Sequence, residues 1–137
     1  LAPGSWPDMS DRNGIVHQRS QVTVAEIRDG TSNTYLIGEK YLNPDDYTTG
    51  NDGADNENLY VGVDNDHYRF THPGFGAPRQ DRPGPALYSI FGSAHPSGWQ
   101  AVLCDGSVRS LSYSLDPVIH SRLGNRHDGE VVDGSAF

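Results

Sequence analysis

Glycine and proline constrain this chain more than any other feature. With 16 Gly and 9 Pro in 137 residues, almost every stretch long enough for a helix is interrupted. An all-helical fold is excluded, and the structure must be built from turns, loops and short extended segments. Asp-Gly alone occurs five times, at 29, 52, 105, 128 and 133, which marks a turn-dense β-domain. An apolar fraction of 34% supports one modest core, and the length suits a single domain over 1–137.

Charge excludes one class of partner. The net of −8, from 18 acidic and 10 basic residues, repels phosphate backbones, so no nucleic acid is expected to bind. Such a surface suits solubility or the collection of divalent cations. The single cysteine, Cys104, allows no internal disulfide; it is expected to pack in a strand or to pair with a cysteine elsewhere in a longer chain. No apolar run approaches the ~18–20 residues that cross a membrane. Leu1-Ala2-Pro3-Gly4 opens directly into loop chemistry, without initiator methionine or signal peptide, so a fragment or processed product is expected.

Local patterns predict the elements. Residues 1–13 read as an extended lead-in, followed by the Asn13-Gly14 turn and a short strand over 15–18. Thr23 with Glu26 forms a capping box for a short helical turn, which Asp29-Gly30 stops. Ser32 and Asn33 then satisfy backbone groups before a buried strand within 34–41. Residues 43–66 read as a long polar loop with a strand over 59–63, and 71–86 wander over the surface. The whole of 43–86 is a loop-rich insertion.

The clearest signal lies at 99–113. Asp105-Gly106 between WQAVLC and SVRSLSY predicts a hairpin with a two-residue type I′ turn. Cys104 then faces Ser107, and Leu103 faces Val108. Trp99, Ala101, Leu103 and Val108 would share one face; Val102, Leu111 and Tyr113 would share the other, both covered. Asp116 as N-cap and Pro117 at the first position open a short helix through Leu123, which Gly124 ends. The tail adds a short strand over 130–132. The fold class is α+β: an antiparallel sheet with short helices and long loops.

These patterns also carry a resemblance. Asp29-Gly30-Thr31-Ser32-Asn33-Thr34 with Gly38-Glu39-Lys40, and FGSAHPSGWQAVLCDGSVRSLSYS with LGNRHDGEVV, resemble planctomycete-type pilin-like proteins with a "prepilin-type processing-associated H-X9-DG" domain. His95, nine intervening residues and Asp105-Gly106 fit that pattern without a gap. The resemblance covers roughly 14–42 and 88–134 and makes Asp29, Gly30, Asn33, His95, Asp105 and Gly106 motif residues. It implies a pilin-like head of the type IV pilin or type II secretion pseudopilin kind. It further implies an extracytoplasmic location, other pilin-like subunits as partners, and membrane contact only through an N-terminal helix that this chain lacks. A cysteine in that missing part could pair with Cys104. No enzymatic activity is implied.

The candidate chemistry is thin. His95 and Asp105 suggest a dyad, but an extended strand between them would hold them up to about 20 Å apart. Asp105 then reads as a turn residue, Gly106 supplies the positive φ, and His95 before Pro96 bonds loop backbone. Ser32, Ser93 and Ser97 lack the context of a hydrolase nucleophile, and the six histidines show no zinc spacing. Calcium is the better proposition, because Asp52, Asp55, Glu57, Asp64 and Asp66 put five carboxylates on one loop. The alternative, a solvated acidic loop, stays open. The expected function is a structural or assembly subunit, not an enzyme. The rival is a secreted, calcium-dependent binding module for carbohydrate or another surface polymer, with loop aromatics such as Trp6, Tyr47, Tyr60 and Tyr68 to stack on sugars.

Overall fold

The computed structural model describes residues 8–62 and 64–137; Trp6 and the rest of 1–7, and Val63, lie outside the described residues. In chain order the regular elements are β1 (Tyr35–Gly38), β2 (Arg79–Gln80), β3 (Gly92–Ser93), β4 (Trp99–Leu103), β5 (Val108–Leu111) and α1 (Pro117–Leu123). Short 3₁₀ turns punctuate the loops. The fold is α+β, with an antiparallel sheet in the order β1-β4-β5 and a small parallel pair β2-β3.

The hairpin forms one residue out of the expected register. Trp99 pairs with Leu111 and Val102 with Val108, and the Leu103 amide donates to the Ser107 carbonyl. The loop is therefore three residues, Cys104-Asp105-Gly106, with Gly106 at φ 86°. Asp105 explains the choice: its carboxylate accepts from both the amide (2.8 Å) and the hydroxyl (2.7 Å) of Ser107, closing a turn that a two-residue loop would not contain. A one-residue slip moves every side chain on the slipped strand to the other face. Leu111 thereby joins Trp99, Ala101 and Leu103 in the core, while Val108 is left 62% exposed. The sheet is covered on one face only. On the other, Ile37, Val102 and Val108 form an apolar row across all three strands.

The core gathers Tyr35, Trp99, Ala101, Leu103, Leu111, Leu115, Leu123 and Val132. Among them sits His120 of α1, 2% exposed. Its ring lies 5.5 to 5.7 Å from those of Tyr35, Phe91 and Trp99. The helix itself follows the sequence closely. The Asp116 carboxylate caps the Val118 and Ile119 amides, Pro117 opens the first turn and Gly124 caps the end.

Other expectations are corrected. Residues 15–18 form no strand; the chain turns at Gln18-Arg19, and the Ser20 amide bonds the His17 carbonyl. β1 is an edge strand with a bulge between Tyr35 and Ile37, and only Tyr35 is buried. Leu59 and Tyr60 lie in an exposed turn, because the Asn58 side chain and carbonyl capture the Tyr60 and Val61 amides. Residues 130–132 are not a strand. Val132 instead plugs the core as a single side chain.

Two tertiary ties hold the ends of the described chain. Arg126 donates from its amide to the Asn13 carbonyl and from Nη1 to the carbonyls of Arg12 (2.8 Å) and Gly14 (2.7 Å). Its own carbonyl accepts from the amides of Arg28 and Asp29. Asp29, 4% exposed, completes the knot by accepting from the amides of Asp128 (2.8 Å) and Gly129 (2.9 Å).

Candidate functional site

The H-X9-DG residues divide between the two ends of β4. At the turn end, Asp105 holds Ser107 and donates its amide to the Thr31 carbonyl, while the Cys104 amide donates to Thr34. The first motif feeds the same place. Gly30, at φ 98°, turns the chain so that the Thr34 hydroxyl bonds its carbonyl and the Asn33 amide group bonds Asp29. The two sequence motifs are thus packed against each other through main-chain bonds, which is a structural role for Asp29, Gly30, Asn33, Asp105 and Gly106 alike.

His95 stands at the far end and shares no contact with Asp105. Its amide donates to the Ser93 hydroxyl, and its carbonyl accepts from the Tyr113 hydroxyl at 2.8 Å. The ring is more than half exposed, with Nε2 3.6 Å from the Glu39 carboxylate. Glu39 also accepts from the Gln100 amide at 2.7 Å, so the pair braces the start of β4 against β1. Ser93 is buried, but its hydroxyl donates to the Gly98 carbonyl rather than meeting an imidazole. Gly98 has no room for a side chain, since a Cβ would strike the Leu111 carbonyl. Nothing here arranges a nucleophile beside a base. Cys104 donates weakly to the Tyr35 carbonyl, and burial pushes its thiol pKa up, the direction of an inert thiol.

The acidic loop is ordered from within. Among the described residues no three His, Cys, Asp or Glu side chains converge as a metal set, and Asp52, Asp55, Glu57, Asp64 and Asp66 are spread along the loop. Asp52 is buried and accepts from the Asn43 and Ala54 amides. Asp66, equally buried, accepts from the Glu57 amide through one oxygen, while the other has no partner. Asp64 meets the Asp66 amide, and Asp55 is held by Lys40. Lys40 is the organising cation. Its ammonium donates to the Ala54 carbonyl (2.7 Å), the Asp55 carboxylate (2.6 Å) and the Asp66 carbonyl (3.3 Å). Oxygen ligands of this kind suit a hard cation, and here the side chain of the Gly38-Glu39-Lys40 motif supplies the positive charge. Sequence reasoning quoted Lys40 without assigning it this role. The signal was available, since it is the single lysine in a chain whose 43–66 loop carries seven carboxylates.

A well-formed concavity lies elsewhere. A cleft of about 550 Å³ runs along β1, walled by 11–17 and by 67–72 with Phe75. It brings together His17, His67 and His72, which zinc spacing had set aside, over an apolar floor that includes Leu36, Ile37, Phe70 and Phe91. His17 and His67 each point Nδ1 at a main-chain carbonyl, of Gln18 and Gly62, and His72 accepts from the Gly74 amide.

No curated protein and no solved structure matches this chain. The profile of a family described as proteins of unknown function (DUF1559) matches residues 2–118. That span takes in 29–34, the Lys40 clamp, the His95 to Gly106 pattern, the hairpin and most of the cleft, and stops before 123–132. The chain belongs to the DUF1559 family of proteins of unknown function.

Proposed function

We propose that this chain is the globular head of a pilin- or pseudopilin-like structural subunit, extracytoplasmic and not an enzyme. It would work with other pilin-like subunits and with an N-terminal helical segment of its parent, which would provide its membrane contact. One observation carries the reading: the motif residues are built into the scaffold. The 29–34 segment accepts from the Cys104-Asp105 turn through the Thr34 and Thr31 carbonyls, and Asp29 holds the tail. Gly30 and Asn33 shape the segment from within, and His95 braces β4, so the pattern specifies a shape rather than a reaction centre. A head whose signature residues keep a shape is suited to assembly.

The test is the native polypeptide itself. Intact mass and N-terminal peptide mapping should find an apolar helix upstream of Leu1, preceded by a prepilin cleavage site. Electron microscopy of sheared surface fractions should then find the protein in filaments or pseudopilus-like particles. A native polypeptide with no upstream apolar helix would overturn the proposal.

A further inference from the structure

Asn13-Gly14 is the single Asn-Gly pair in the chain, and the motif architecture makes no use of the Asn13 side chain. That side chain is exposed. Among the described residues it has no hydrogen-bond partner, and neither has the Gly14 amide. Gly14 also lacks the Cβ that would shield its nitrogen. The five Asp-Gly pairs differ. Asp52, Asp105, Asp128 and Asp133 are each pinned to the amide two residues on, and Asp29 to the amides of Asp128 and Gly129. The exposed Asn51 and Asn56 precede Asp52 and Glu57, whose side chains crowd the next nitrogen.

The surroundings of the pair favour negative charge on it. Removing the Gly14 amide proton places charge on the Asn13 carbonyl oxygen, because the two atoms share one conjugated peptide group. That oxygen already accepts from the Arg126 amide at 3.0 Å. The Arg126 guanidinium spans the carbonyls on either side, of Arg12 at 2.8 Å and of Gly14 at 2.7 Å. An aimed N–H and a cation thus stand where charge develops when the Gly14 nitrogen becomes a nucleophile.

We propose that Asn13 is a self-modification site, at which the chain deamidates and rearranges its own backbone with water as the only co-reactant. The Gly14 nitrogen attacks Asn13 Cγ. The bond from Cγ to Nδ2 breaks, and ammonia leaves with the proton that Gly14 gave up. Water then opens the resulting succinimide. Opening at Cγ leaves an ordinary aspartate; opening at the main-chain carbonyl leaves a β-linked isoaspartate, with one methylene more in the backbone. Both products add a negative charge, but they act differently on the tie at Arg126. Aspartate keeps all three carbonyls in the main chain. Isoaspartate turns the Asn13 carbonyl into a free carboxylate and lengthens the path from Arg12 to Gly14, so Arg126 no longer holds the leading segment. This goes beyond the head-domain reading and does not depend on it.

Ageing the purified chain for three weeks at 37 °C and pH 7.4, then mapping its peptides with electron-transfer fragmentation, tests the site. Residue 13 should convert at least tenfold faster than any other asparagine, with both products present. Gly14→Ala should slow the conversion at least tenfold while melting like the wild type, because the added Cβ meets the Gly124 carbonyl at an ordinary 3.4 Å. In the β-linked fraction the Arg126 amide should exchange faster with deuterium, whereas Asn13→Asp should leave that exchange as in the unaged chain. If residue 13 stays an amide while a synthetic peptide of residues 9–17 converts, the fold protects the pair and the proposal fails. Conversion spread evenly over the asparagines overturns it too, as does unchanged Arg126 exchange in the β-linked fraction.

Discussion

Acidification from pH 7 to pH 4 puts His120 under strain that the rest of the core does not share. The imidazole is 2% exposed, boxed by Tyr35, Phe91 and Trp99, and its Nε2 finds no hydrogen-bond partner. Only a 3.5 Å contact joins Nδ1 to the Tyr35 hydroxyl. Burial therefore depresses its pKa from 6.5 to about 4. Between these values the unfolded chain takes up a proton that the folded chain refuses. Stability is complete above about pH 6.5, falls as the pH drops towards 4, and levels off below, where both states are protonated. The gap corresponds to roughly 3 kcal/mol, a large share of the ~5–15 kcal/mol that holds a domain together. For a chain of this size the melting temperature should drop by about 10 °C. Thermal melts followed by tryptophan fluorescence at pH 7, 6, 5 and 4 measure it, with His120→Phe as the non-titrating control. The variant should be flatter across the window by most of that amount. If wild type and variant lose stability in parallel, the protonation of this histidine is not what the core resists.

Three further perturbations probe the ties. Lys40→Met should cost about 2 kcal/mol, the value of charge-assisted bonds to two carbonyls and a half-exposed carboxylate discounted for solvent. Amide exchange should quicken at 54–66 and not in the hairpin; uniform exchange would refute the clamp. Asp29→Ala removes the buried carboxylate that accepts from the Asp128 and Gly129 amides and should cost about 2 kcal/mol in urea melts, the value of charge-assisted hydrogen bonds; a change below about half a kcal/mol would refute the tie. Millimolar calcium should leave the melting temperature unchanged, because Lys40 already holds the loop carbonyls; a rise of several degrees would mean that the loop rearranges around the ion.

What could be read in advance depended on how local the deciding chemistry was. The Thr23–Glu26 turn and α1 were legible because Thr23, Asp116, Pro117 and Gly124 act within one helical turn of themselves. The hairpin was legible in position and wrong in register. Asp-Gly fits both two- and three-residue loops, and the choice fell to the Asp105–Ser107 bonds and the burial of Leu111. β1 looked buried because Leu36 and Ile37 are apolar, yet the sequence carries no mark of an edge. The 59–63 segment misled similarly, since Leu59 and Tyr60 favour strands while the Asn58 bonds that curl them are local and polar. The acidic loop suggested a metal because its carboxylates are neighbours in sequence. Lys40, which holds the Asp55 carboxylate and the Asp66 main-chain carbonyl, lies 15 residues from Asp55 and 26 from Asp66, so no spacing rule linked them.

The ties at Arg126 also define a route for mechanical load. A pull applied to the chain ahead of Arg12 first meets the three bonds that Arg126 makes to residues 12–14. From there tension passes through residues 126–129 to Arg28 and Asp29, and so to the short link before β1. The hairpin and its aromatic core lie off this path. Under force the molecule should yield first by releasing its leading segment, with the sheet intact behind it. In single-molecule pulling, Arg126→Ala should lower that first event and leave the main unfolding peak in place.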